Sequence, residues 1–135
     1  MLISGGRPLR AGDDKNGLVI TSDTTPGVVH VTGIGFWTPF VMDTHFSQLR
    51  LAIAPFRKEN HPVKMIVDLR TSSVQSFETT ERMKVGAASV TEPGDRMAII
   101  VDSSLAKMQM RRTIGDAQHE FFVSHNAAVQ WVLAY

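Results

Sequence analysis

The chain contains no cysteine, a single tyrosine, almost no net charge and no long apolar run. Each absence removes a class of protein. Without cysteine there is no disulfide scaffold, no thiolate nucleophile, no zinc–cysteine site and no iron–sulfur ligation. Fourteen Lys and Arg stand against thirteen Asp and Glu, for a net charge of +1. That balance argues against a nucleic-acid partner and against a polybasic membrane anchor, since both need concentrated positive charge. The opening MLISGGRPLRAGDDKNG has only a two-residue apolar run, so it lacks the hydrophobic stretch of a signal peptide. No segment approaches the ~20 apolar residues that span a bilayer. The expectation is a cytoplasmic protein with no stable membrane insertion.

What is present suits one ordinary globular domain. At 135 residues and 43% hydrophobic, the chain can bury roughly two thirds of its unfolded surface without staples. Residues 1–16 are polar and carry glycines, and are expected to form a flexible N-terminal tail ahead of a single domain over 17–135. No repeat or other low-complexity tract interrupts that domain.

Leu18 to Thr21 and Val28 to Thr32 read as short strands joined by the polar turn Ser22 to Gly27, an antiparallel hairpin. Thr38-Pro39 is a helix start, with a hydroxyl at N-cap and proline at N1. Met42, Phe46, Leu49, Ile53 and Phe56 then form one helical stripe. Pro55 cannot donate to the Leu51 carbonyl, which predicts a kink or stop near Ala54. Val63 to Leu69 and Met97 to Val101 are nearly continuous apolar runs, as expected of strands buried on both faces of a parallel sheet. Between them a helix from Phe77 to about Ser89, capped by Ser76, carries a thin stripe of Phe77, Met83 and Ala87. Ser103 or Ser104 caps a helix ending at Gly115. Glu120 to Val123 is a short strand. A last helix from Ser124 is expected to bury Ala127, Ala128, Trp131, Val132 and Tyr135. The order ββαβαβαβα predicts an α/β fold with a mostly parallel sheet, one antiparallel strand at its start and about four helices.

In such sheets ligands collect beyond the carboxyl ends of the parallel strands. Three loops converge there, and they supply Gly33, Gly35, Thr38, Asp68, Arg70, Thr71, Ser72, Ser73, Asp102, Ser103 and Ser104. Each loop feeds a helix N-terminus, which favours an anion, although caps and turns need these same residue types for purely local reasons. Lys107, Arg111 and Arg112, together with Arg70, can make a small positive patch or simply a solvated helix face. Asp68 ends a buried strand and is a candidate for acid/base chemistry, or a cap of its own turn. Met108 is expected in the core. Phe36, Trp37 and Phe40 can form a homodimer contact, or a staple around the first helix start with Trp37 packed on the sheet edge.

Other motifs are incomplete. Gly33-Ile34-Gly35 lacks the third glycine and the acidic partner of a dinucleotide fingerprint. His119-Glu120 is followed by a second histidine six residues on, at His125, which fails the helical spacing of a zinc protease. No serine sits in a nucleophile elbow. Neither a metal nor any cofactor is implied, and no catalytic residue is assigned.

The segments Gly33-Ile34-Gly35-Phe36-Trp37-Thr38, Met65 to Arg70, Gly94 to Lys107 and Ala128 to Leu133, in that order, resemble the SpoIIAA-like proteins, bacterial relatives of the STAS and Sec14-type domains. The resemblance spans roughly residues 15 to 135 and rests on strand and loop pattern. It implies an α/β sandwich. In the anti-sigma factor antagonists of the STAS group, a serine opening the helix after the Asp-ended strand is phosphorylated. Here Ser72, Ser73 and Ser76 follow Asp68, but the usual Asp-Ser-Ser-Gly sequence is replaced by Arg70-Thr71-Ser72-Ser73-Val74-Gln75. The resemblance and the lack of a catalytic pair together lead to a binding or regulatory module, with a protein partner or a small anionic or lipid-like ligand at the three loops. The alternative is a small hydrolase-type enzyme using Asp68 and neighbouring loop residues.

Overall fold

Among the described residues, hydroxyl side chains open all four helices. Thr38, Ser76, Ser103 and Ser124 hold extended backbone and accept the N–H of Val41, Thr79, Ala106 and Ala127 respectively, which satisfies one otherwise unpaired amide in each first turn. In the computed structural model, which describes residues 8–22, 27–115 and 118–134, these caps begin α1 (Pro39–Lys58), α2 (Phe77–Val90), α3 (Ser104–Ile114) and α4 (His125–Leu133). The strands are β1 (Leu9–Gly12), β2 (Gly17–Ser22), β3 (Val28–Gly35), β4 (Lys64–Ser72), β5 (Arg96–Ile100) and β6 (His119–Phe122). They form one sheet in the order β1-β2-β3-β4-β5-β6. The β1/β2 and β2/β3 pairs are antiparallel and the remaining three parallel.

The expected flexible tail over residues 1–16 is corrected from Leu9 onward, while residues 1–7 lie outside the described residues. Leu9–Gly12 pair with Gly17–Ile20, and Ala11 is fully buried. The intervening residues form a tight turn in which the Asp13 carboxylate accepts the N–H groups of Lys15 and Asn16 at 2.9 and 2.8 Å. The sheet therefore begins with two antiparallel pairings where one was expected. The centre of the polar turn between β2 and β3, residues 23–26, lies outside the described residues, as does Tyr135.

Pro55 does not stop α1, which runs three residues further. Leu51 and Pro55 both lie on the exposed face, so the carbonyl deprived of a partner meets water. Phe56 meanwhile stays buried, and Arg57 is held by the Asp95 carboxylate. These two anchors keep the last turn helical.

Alternation along the strands divides the core. Leu18, Ile20, Val29, Val31, Met65 and Met97 face α1 and α2, while Ile99, Val101 and Phe121 face α3 on the same side. Val28, Ile66, Ala98 and Ile100 face α4 on the other. In α4, Ala128 and Val132 are buried, whereas Ala127 and Trp131 are only half-buried. The stripe expected on α2 is also shifted. Phe77 is 81% exposed, and the helix packs through Thr79, Gly86 and Val90. Gly86 is the close approach: a Cβ there would fall 2.2 Å from the Phe46 ring.

Candidate functional site

The helix-bearing face is unevenly closed. α1 and α2 pack tightly, but α2 and α3 touch only lightly, and no residue of α3 is fully buried. A cleft of about 280 Å³ opens between them at the carboxyl edge of the parallel strands. Its floor is apolar, made by Trp37, Leu69, Met83, Val101 and Met110, and its rim is polar, with Ser72, Ser73, Gln75, Asp102, Gln109 and Thr113. Beneath it lies a second space of about 70 Å³ between the helices and the sheet. Trp37, Leu69, Met83 and Met110 line both, so the two are divided by a shared wall of flexible methionines and one fixed ring. Apart from His45, Thr91 and His119, the inner space is lined by apolar side chains.

Local geometry builds this wall. Trp37 is 2% exposed, and its Nε1–H donates to the carbonyls of Gly17 and Ile34 at 3.1 and 3.0 Å. Gly33 makes room for the ring, because a Cβ there would sit 2.6 Å from the indole. Opposite Gly33 the β3/β4 register slips, with Thr32 pairing Asp68 but Ile34 pairing Thr71. The extra residue in β4 is a bulge, which re-aims the strand's end. Gln75 locks the rim. Its Oε1 accepts the Trp37 N–H at 2.7 Å, and its amide nitrogen donates to the carbonyls of Gly35 and Ser73 at 2.9 and 2.7 Å.

Of the residues singled out from sequence, Ser72, Ser73 and Asp102 line the cleft. The others have local duties. Thr38 and Ser103 are N-caps. Gly35, at φ 74°, accepts the Ser73 N–H on its carbonyl. Thr71 Oγ1 donates to the Gly33 carbonyl across the bulge. Ser104 is the first residue of α3, and half-buried Lys107 follows one turn later.

Asp68 lies on the opposite face of the sheet, the one covered by α4, since its neighbours Val67 and Leu69 belong to the α1–α3 side. Its carboxylate accepts from the Arg70 guanidinium at 3.0 and 2.7 Å and from the Arg70 N–H at 3.1 Å. The Arg70 side chain and burial pull its pKa in opposite directions, and Arg70 prevails, holding it below the usual carboxylate range. Asp68 therefore caps its own turn and supplies no base to the cleft. The positive patch does not gather either, since Arg70 is committed to Asp68 and Arg111 to Glu120.

Sequence reasoning missed Trp37, Gln75, Gln109 and Thr113 as lining residues. It placed Met108 in the core, but Met108 is 55% exposed, and Met110 takes the inner position. The thin apolar stripe of α2 was the available signal, because a helix with little to bury covers a sheet incompletely. Among the described residues no three His, Asp or Glu side chains are grouped to hold a metal ion, and no helix is long and apolar enough to cross a membrane.

No protein-family model and no curated protein matches the sequence. Solved structures do match. An uncharacterised DUF3478-family protein from Shewanella loihica PV-4, described as having a SpoIIAA-like fold, superposes with a TM-score of 0.63 at 18% identity, covering 96% of this chain and 98% of its own. The chain has a SpoIIAA-like fold. At that identity the similarity speaks for the architecture, namely the six-stranded mixed sheet and its four helices.

Proposed function

We propose that this chain is a non-enzymatic binding module that takes a small amphiphilic molecule between α2 and α3. The observation that carries the reading is the pairing of an apolar inner space with a polar-rimmed cleft at one opening. Ligand sites are typically concave, mostly apolar and ~300–1,000 Å³, with a few placed polar groups, and the cleft alone, at about 280 Å³, approaches the lower end of that range. An apolar body enters over Leu69, Met83 and Met110, while a polar head stays with Ser72, Ser73, Gln75 and Asp102. Methionine suits the threshold, being unbranched and adaptable.

The test uses the full chain and N-phenyl-1-naphthylamine, whose emission rises in apolar surroundings. Gln109 lies on the exposed side of α3 at the cleft, so Gln109→Trp plugs the opening without disturbing the core. The expected result is saturable emission from the wild type and at least about tenfold weaker binding by Gln109→Trp at unchanged stability. Emission that stays at the buffer level, or equal binding by both proteins, refutes the reading.

A further inference from the structure

Three polar side chains line the inner space: His45, Thr91 and His119. Thr91 Oγ1 donates to the Ala87 carbonyl at 2.6 Å, and His119 has a partner of its own. His45 differs. It is 4% exposed, on the second turn of α1, and among the described residues no group hydrogen-bonds its buried Nδ1. Buried polar atoms are almost always paired, and one left unpaired carries an uncompensated cost. Phe46 packs edge-on against the imidazole at 5.0 Å between ring centroids, which offers no strong hydrogen bond.

We propose that His45 is the polar anchor of the inner space, selecting molecules whose entering apolar end itself carries a neutral hydrogen-bonding group such as a hydroxyl, apart from any polar head held at the rim. This rests on the binding reading above and deepens it. Burial pushes the imidazole down from the ordinary 6.5 to about 4, so at neutral pH it presents one donor and one acceptor nitrogen and no charge. It therefore matches a hydroxyl or a carbonyl. A carboxylate would gain no ion pair there and would lose its hydration. Discrimination is strong in this sense, because a site with a buried unpaired polar group penalises the analogue that cannot satisfy it. A purely apolar pocket would rank two such probes by hydrophobicity alone.

Naphthalene and 2-naphthol differ by one hydroxyl, and naphthalene is the more apolar. Binding of each to the wild-type chain is read by its own fluorescence. The expected result is that 2-naphthol binds about tenfold tighter, that His45→Phe removes this preference, and that His45→Gln restores part of it. The second measurement needs no variant: the imidazole nitrogen resonances of His45 should shift on adding 2-naphthol and stay in place with naphthalene. If both probes bind the wild type equally, or naphthalene binds tighter, the His45 assignment is overturned and the cavity reading stands. If neither binds while N-phenyl-1-naphthylamine does, the His45 assignment alone is overturned. If no probe of the three binds, both readings fall.

Discussion

Asp95 closes the sandwich at the edge opposite the cleft, and its removal tests how that closure is built. Its side chain has no exposed surface. The carboxylate accepts from the Arg57 guanidinium at 2.8 and 2.5 Å and from the backbone N–H groups of Val63 and Glu92 at 2.9 and 2.8 Å. One side chain thus ties the last turn of α1, the entry to β4 and the Glu92–Asp95 turn that leads into β5. Breaking a buried ion pair by deleting one member costs about 3–5 kcal/mol. Arg57 keeps 21% side-chain exposure and retains bonds to the Val90 carbonyl and the Glu92 carboxylate, so its charge is not stranded and the lower end applies. Asp95→Ala is therefore expected to lose about 3 kcal/mol, a large share of the ~5–15 kcal/mol that holds a typical domain together. Urea unfolding followed by circular dichroism and tryptophan fluorescence measures it, with the m value unchanged. Burial raises the Asp95 carboxyl, but Arg57 and the two backbone amides outweigh it and hold it below the ordinary range. The stabilisation is thus present above about pH 4 and is lost as pH falls through the lowered value. Asp95→Asn should flatten that part of the acid limb. A loss under about 1 kcal/mol for Asp95→Ala would refute the reasoning, since it would mean the pair merely balances its desolvation.

His45 acts in a different pH window. Its folded pKa is lowered to about 4 from 6.5, so the unfolded chain binds a proton first and stability falls as pH drops from about 6.5 to 4, by on the order of 3 kcal/mol; His45→Phe should level that slope in a series of pH-dependent melts. In Gly86→Ala, the gain of about 1 kcal/mol in helix propensity is set against a methyl 2.2 Å from the buried Phe46 ring. Overpacking costs about 1–3 kcal/mol, and thermal melting should report a net loss of about 1 kcal/mol. Gln75→Ala removes three hydrogen bonds at the cleft rim and should cost about 1–2 kcal/mol, with faster amide exchange at Trp37, whose N–H loses its acceptor, as the local signature.

Much of this architecture was legible in the residues because it is set locally. Each N-cap hydroxyl stands at a helix start, and the Met42–Phe56 stripe defines the buried face of α1. β1 was not legible in that way. Leu9-Arg10-Ala11-Gly12 alternates over only two apolar residues, too short a run to stand out, and its place comes from backbone pairing with β2. The Asp13 to Asn16 turn chemistry was visible in the sequence, but it was absorbed into a presumed tail. The candidate site was legible only in part. Ser72, Ser73 and Asp102 follow from the rule that ligands gather at the carboxyl edge. The cleft itself depends on the spacing between α2 and α3, which no single segment encodes. Which face Asp68 occupies follows from strand parity, and parity leads away from the cleft.

The order of the strands in the sheet is also their order along the chain. No strand has to be inserted between two that are already paired, and each parallel step is closed by a single intervening helix. A chain of this kind can grow its sheet from one side, adding each strand to the margin left by its predecessor, so every loop-closure cost is incurred over a short length. α4 is the exception, because it folds back across β4, β5 and β6 and fastens strands laid down well before it. The same order sends the first and last strands to opposite margins, about 24 Å apart at an interstrand spacing of about 4.8 Å.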